Sequence, residues 1–488
     1  MRRLLTRAAV AAGTLVLVGL GGWLGKAWYD SRLPGTYSVM DYGALDFGGA
    51  PPGAHDGHTE TSVARLRGPR GKPDLAVKLT AVRTEVRLPS GESVDALTFN
   101  GRVPGPELRV RQHGLVQVTL ENANIAKGVS IHWHGVDVPN AEDGVAGVTQ
   151  EAVLPGGRYV YRFRADQVGT FWYHSHQFSA QQVKRGLYGA FVIEPERPRP
   201  KTVDLAVPVH TLRGRRLFGS SDELVQHSIP PGRPVRLRLI NTDDVPRKFD
   251  LRGAAFRVLA IDGVDLNQPA AIEGRTLELG AGARYDLGFV MPRTAVSLGV
   301  AGSPAGLVLG PPGGVPAPPK PGGPVFDPAG YGAPITALLG AQARYDRTFV
   351  VDIGRQLGFL DGRPGYHWSI NGKLFPRTPV LVVRKGELVR MTIANDSGSV
   401  HPMHLHGHHL LVLSRNGKPV RGSPWRVDIL NVKPDETYDV AFRAHNPGVW
   451  MFHCHNLPHA ADGLMTHLVY EGVTTPFRIG GHAHNHPE

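Results

Sequence analysis

One cysteine and ten histidines of this 488-residue chain stand in four short windows. They are His132-Trp-His134-Gly, His174-Ser-His176, His401-Pro-Met-His404-Leu-His406-Gly and His453-Cys454-His455-Asn-Leu-Pro-His459. Strand residues two apart point to the same face about 7 Å apart, so each His-x-His offers two imidazoles along one side. Four such pairs present more nitrogens than one metal ion takes. In His453-Cys454-His455 the imidazoles face one way and the thiolate the other. The thiolate therefore belongs to a second site, which His401 and His459 complete as a His2Cys set, the combination expected for an electron-transfer copper. The strand itself joins the two sites over on the order of 10 Å, a short covalent route for electrons. Zinc is the other metal reading; it takes three or four ligands, often several thiolates, and leaves most of these histidines unused. One His-x-His alone reads as an exposed strand pair, but four pairs with the only thiol between two of them do not.

The elements that carry these windows are duplicated. The first copy reads Leu97-Thr-Phe-Asn-Gly-Arg, then LRVRQHGLVQVTLENAN, IHWHGV and later GTFWYHSHQ; the second reads Trp368-Ser-Ile-Asn-Gly-Lys, then LVVRKGELVRMTIANDS, MHLHGH and GVWMFHCHN. Asn100 to His132 is 32 residues and Asn371 to His404 is 33, so register is kept over a whole supersecondary unit. LVQVTL and LVRMTI alternate as strands, and Asn-Gly marks turns. Between the copies, PVRLRLINTDD at 234–244 matches the same strand, but Phe249-Asp250-Leu251 stands where the others have His-x-His. The fold is kept there and the ligands are lost.

Composition agrees with an all-β chain. With 61 Gly, 41 Pro and 41% apolar residues, it reads as strands joined by tight turns rather than as disorder. A lone cysteine excludes a disulfide scaffold. The net charge of +12 suits anionic lipid, cell wall or nucleic acid, yet no basic run is interleaved with stacking aromatics, so nucleic acid is not an expected partner. Arg2, Arg3 and Arg7 precede an apolar run at 8–25 whose only polar side chain is Thr14. As a helix this run is about 27 Å long, just short of a bilayer core of roughly 30 Å. No small-x-small cleavage site follows it, so residues 1–29 read as an uncleaved anchor holding the chain outside the cytoplasm, with cleavage and secretion as the alternative. Residues 30–72 read as a tether. From Gly302 to Pro334, 19 of 33 residues are Gly or Pro, which excludes helix or central strand and marks a boundary. The expected organisation is three β-sandwich domains at 73–197, 198–310 and 345–477, a Pro/Gly-rich linker at 311–344, and a tail at 478–488. The tail's His482, His484 and His486 read as an unstructured polar end or, alternatively, a copper scavenger.

Over residues 75–475 the chain resembles the multicopper oxidases, the laccase-like family of three Greek-key cupredoxin domains, with all four histidine motifs in order. The resemblance implies four coppers. His401, Cys454 and His459 would hold type 1; His132 and His404 type 2; His134, His174, His176, His406, His453 and His455 the type 3 pair. It implies one-electron oxidation of small aromatic reductants at type 1 and reduction of O2 to water at the other three. Asp143, nine residues after His134, matches a relay acid of the family; a plain loop carboxylate is the alternative. Where many bacterial members carry an axial methionine this chain has Leu464, with Met465 beside it. A leucine donates no lone pair and raises the site's potential, and a one-residue bulge would restore Met465. The usual relay glutamate after the last histidine is replaced by Ala460, with Asp462 as a substitute of little support. His408 and His409 extend the third motif as neighbours of the ligands. Seven methionines and no Met-rich insert favour phenols and aromatic amines over Cu(I). The competing functions are metal-ion (Cu(I)/Fe(II)) oxidation in metal tolerance and a non-catalytic copper-binding envelope protein.

Overall fold

Alternation of period two decides which residues meet. Leu115–Asn122 and Leu388–Asn395 bury their side chains in the same alternating pattern, so one face of each builds a core. The computed structural model describes residues 2–52, 60–197, 201–311, 322–335 and 343–488, with side chains of the N-terminal helix from residue 12 onward. Three times a central strand pairs in parallel with a long preceding strand and antiparallel with a following one. The sets are Leu75–Arg87, Leu115–Asn122 and Arg158–Arg164; Val203–Leu212, Pro234–Asn241 and Arg284–Val290; and Arg347–Leu360, Leu388–Asn395 and Thr437–Arg443. Each of these sheets is covered by a second one, making three β-sandwiches.

The covering sheets carry the histidine motifs. In the first sandwich, His132–His134 is the edge strand beside Gly169–His174. In the last, His401–Leu405 lies between Val449–Cys454 and Ile429–Val432. In the middle sandwich the equivalent strand, Arg247–Arg252, buries Phe249 and Leu251 in an apolar core. Asn100-Gly101 and Asn371-Gly372 have φ of 56° and 74°, and 51° and 65°, the left-handed pairs that a two-residue hairpin turn needs.

Several expectations are corrected. The described parts of the segment 30–72, which exclude 53–59, are docked rather than a free tether: Thr36–Tyr37 pairs with Ile479–Gly480, Leu45–Asp46 extends a sheet beside Val380–Val383, and Thr61–Ser62 pairs with Val473–Thr474. Buried Tyr37, Val39 and Val63 weld it to the last sandwich, because isolated apolar residues in a polar stretch suffice to dock it. Gly306–Gly310, inside the Gly/Pro-rich stretch, is an interior strand between Leu224–Ser228 and Val296–Val300. It holds no proline, so its ladder donors are intact. Of the linker at 311–344, Phe326 and Tyr331 pack on the middle sandwich, while 312–321 and 336–342 lie outside the described residues. The N-terminal segment is a helix, Arg2–Ser31; the expected apolar run at 8–25 begins where side chains lie outside the described part. Among the described residues no helix is long and apolar enough to cross a membrane.

Leu120, fully buried at the centre of the first sandwich, tests the packing. Leu120→Ala should lower unfolding free energy by about 2–5 kcal/mol in urea titration.

Candidate metal centre

The register of the last sandwich sorts its motif by face. Met403 stands opposite Cys454, and His404 opposite His453. His401, two residues from Met403, therefore shares the thiolate's face, while His404 and His453 point to the other. A short helix, Leu457–Ala461, returns His459 over the end of the strand. Cys454 Sγ lies 3.5 Å from His401 Nδ1 and 3.8 Å from His459 Nδ1, and these nitrogens are 3.2 Å apart. The outer nitrogens are otherwise engaged: Ser397 Oγ is 2.6 Å from His401 Nε2, and Asn456 Nδ2 is 3.1 Å from His459 Nε2. Both Nδ1 atoms are thus free to face the sulfur, as a His2Cys metal site requires. Burial pushes the Cys454 thiol well up, so a cation is needed to keep it as thiolate. Met465 stands opposite His453, on the face away from the thiolate, whereas the Cys454 N–H donates to Leu464 O at 3.0 Å. That pairing shows no register shift, and Leu464, just before the paired strand, is fully buried.

The remaining eight histidines converge between the first and last sandwiches. His134 stacks on His404 at 3.9 Å, and His132 on His406 at 3.9 Å. His132 Nε2 and His404 Nε2 face each other at 3.4 Å. His176, His406 and His453 form one group of ring nitrogens, with the Nε2 atoms of His406 and His453 3.1 Å apart. The rings of His134, His174 and His455 lie with centroids 4.7 to 5.6 Å apart. The nitrogen groups overlap, since His132 stands both with His404 and His406 and with His134 and His174.

The fit to a metal shows in what the nitrogens lack. His134 Nδ1, His174 Nε2 and both ring nitrogens of His176 and His455 are buried with no hydrogen-bond partner. Burial, aided by neighbouring imidazoles, holds His134, His174, His176, His404, His406 and His455 far below the usual histidine value, and takes His453 down to about 3. Neutral rings with inward lone pairs are what a bound cation needs.

Carboxylates fix the rings from behind. Asp143, 1% exposed, lies 3.0 Å from His132 Nδ1 through Oδ1 and 3.0 Å from His406 Nδ1 through Oδ2. It is therefore no plain loop carboxylate. Ala460 is buried and Asp462 stands exposed at the end of its helix, so neither supplies an acid to the cluster. Two carboxylates escaped sequence reading. Asp428 holds His134 and His404, and nothing in its local sequence marks it. Glu488, at the end of the supposed unstructured tail, is buried with Oε1 3.1 Å from His453 Nδ1 and 3.8 Å from His176 Nε2. The tail is pinned by main-chain bonds between Phe178 and His486 and by Gln177 to His484 and His486. Burial pushes the Glu488 carboxyl up to about 8. His408 bonds Tyr470 Oη, and His409 lies between Asp137 and Asp428.

Two multicopper oxidase family models match residues 80–198 and 355–472. Lac15 from a marine microbial metagenome is 30% identical, with 81% of this chain and 100% of that one covered and a TM-score of 0.61. The chain belongs to the multicopper oxidase family. A multi-copper oxidase from Pseudomonas thermotolerans is 29% identical over 81% of this chain and 98% of that one, with a TM-score of 0.65. Laccase-1 of Botryotinia fuckeliana is 27% identical over 78% of this chain and 79% of its own. Membership makes this multicopper oxidase an oxygen-using, copper-dependent oxidoreductase of cupredoxin-like fold.

Metal-free multicopper oxidase should lose stability in acid. His401 and His453 are held down to about 3, mainly by burial, against 6.5 unfolded. As pH falls below 6.5 the unfolded chain takes up protons that the folded one refuses, so stability declines from pH 6.5 towards about 3. Urea midpoints of metal-free protein should fall across this window, and a flat profile would contradict neutral buried rings.

Proposed function

We propose that the chain is a laccase-like oxidase. It would couple four one-electron oxidations of phenols or aromatic amines at a type 1 copper to reduction of O2 to two waters at three further coppers. His401, Cys454 and His459 would hold the first copper; His132 and His404 the second; His176, His406 and His453, and His134, His174 and His455, the remaining two. The observation that carries this reading is the strand Val449–Cys454, which ends with its thiol beside His401 and His459 while its neighbours face the histidine cluster, His453 with His176 and His406 and His455 against His134 and His174. When bound, copper supplies the one-electron redox chemistry and the binding of oxygen.

The protein's own groups do the rest. His459 is only part-buried, which makes it the edge where a donor can pass its electron. Trp368 packs on both ligands, at 4.8 Å from the His401 ring and 4.4 Å from the His459 ring. The Arg355 guanidinium lies 4.4 Å over Trp368. An aromatic wall under a fixed positive charge favours a neutral or anionic aromatic donor over a metal cation. Asp143 accepts from the outer nitrogens of His132 and His406, keeping the inner nitrogens aimed at the metals. With Leu464 rather than a methionine beside it, a copper held by His401, Cys454 and His459 would lack a thioether donor and would have a raised potential.

We also infer that the chain works outside the cytoplasm, held at the membrane by its N-terminal helix. The support is the apolar surface of Leu15, Val16, Leu17, Leu20, Trp23 and Leu24, which no other part of the protein covers among the described residues. The full chain should sediment with membranes and resist salt extraction.

Copper-loaded protein should consume O2 with a phenolic donor faster than with Cu(I) or Fe(II). No uptake despite full loading would refute the reading, and faster turnover of metal ions would replace it with metal-ion oxidation. Cys454→Ser should abolish both the blue absorption and donor oxidation; a mutant that stays blue would remove the thiolate from the site. Leu464→Met should lower the type 1 potential in a redox titration.

A further inference from the structure

The middle sandwich has no metal-binding histidines, yet it reaches the cluster through Arg284. This side chain is wholly buried and touches all three sandwiches. Its Nη1 and Nη2 donate to Asp428 Oδ1 and Oδ2 at 2.5 and 2.6 Å, and its Nε donates to Thr170 O at 3.0 Å. Its own N–H donates to Asp262 Oδ1 at 2.9 Å, and the other oxygen of Asp262 accepts from Ile429 N at 3.2 Å, next to Asp428.

Asp428 in turn holds ligands of two different metals. His134 Nε2 donates to its Oδ1 at 3.1 Å, leaving Nδ1 for the metal. His404 Nδ1 donates to its main-chain O at 2.8 Å, leaving Nε2 for the metal. The two rings so held are stacked within 9° of parallel. Asp428 stands close enough to His134 and His404 to look like a ligand itself. Both of its oxygens, however, are already engaged by Arg284, and Oδ1 also by His134. On its far side, His409 Nε2 lies 3.4 Å from Oδ2, and Asp137 and His445 continue the chain of charges to an open cleft. Gly135, after the first motif, has φ +83°, and a Cβ there would run into the guanidinium of Arg284 and come within 2.5 Å of Asp428 Oδ2. The motif's glycine is thus required by the ion pair.

We propose that Arg284 is a positioning residue contributed by the ligand-free middle sandwich: through Asp428 it sets the orientation of His134 and His404 and hence how tightly the trinuclear site holds its metals. The two-pronged guanidinium fixes the carboxylate plane in a way a point charge cannot. Partners behind metal-bound imidazoles commonly change metal affinity about 10–100-fold when lost. This inference rests on the reading of those eight histidines as copper ligands.

The test compares copper-loaded wild type with Arg284→Lys and Asp428→Asn. Copper retention is followed against a chelator, with the type 2 electron paramagnetic resonance spectrum and the type 1 absorption. The type 1 site lies outside the ion pair, so its blue colour reports correct folding. Blue variants should release non-type 1 copper at least about tenfold more readily and show shifted type 2 hyperfine splitting. Blue variants with wild-type retention and a superimposable spectrum overturn the proposal. If neither variant is blue, His409→Gln, which removes the outer support of Asp428 and leaves Arg284 in place, decides: a shifted type 2 spectrum supports the proposal and an unchanged one overturns it. Wild-type protein that takes no copper beyond type 1 overturns the functional reading, and this inference with it.

Discussion

The structure turns on a set of neutral imidazoles packed against one another in a dry interface with ring nitrogens left unpartnered. Six ring nitrogens of the clustered histidines, His134 Nδ1, His174 Nε2 and both of His176 and His455, are buried without a hydrogen bond. At about 1–3 kcal/mol for each unsatisfied buried group, their cost is comparable with the roughly 5–15 kcal/mol by which a whole protein is stable. Cations held at these nitrogens would recover that cost, so metal binding should tighten the junction of the first and last sandwiches. Desolvation helps by keeping the rings unprotonated, ready to bind.

Placing the ligands then becomes a matter of strand parity. His401 and His404 are three apart and so fall on opposite faces; His404 and His406 are two apart and share one. The same rule puts Cys454 on one side and its two neighbours on the other. One strand therefore faces both the His401–Cys454–His459 group and the larger histidine cluster, which is why the His-Cys-His window can be so short.

The middle sandwich repeats the topology with apolar residues where the ligands would be. Its Phe249 and Leu251 feed a core, so it is a packed spacer that brings the outer two together. Arg284 and Asp262 show that it is more than a spacer. Its buried charges cross the three-way junction and close on Asp428, behind two of the ligand rings. Buried ion pairs are weak sources of stability but strong sources of geometry when both partners are fully hydrogen-bonded, and geometry is what imidazole ligands need.

The type and spacing of residues alone determined the all-β class, the repeated units, the separation of a His2Cys set from eight other histidines, and the link between them. These are local properties: period-two alternation, turn residues and histidine spacing survive in one dimension because each depends only on near neighbours along the chain. Asp143 was legible by its distance from His134, but its contact with His406 was not. Asp428, Arg284 and Glu488 could not be read, because each acts on a histidine 24 to 312 residues away in sequence. The polar stretches before the first sandwich and after the last were misread for the same reason, since a segment of low hydrophobicity becomes ordered when a distant sheet edge or buried pocket accepts its few apolar and hydrogen-bonding groups. Tertiary structure alone decided that Met465 pairs with His453, on the face away from the thiolate, because that choice rests on the register of two paired strands.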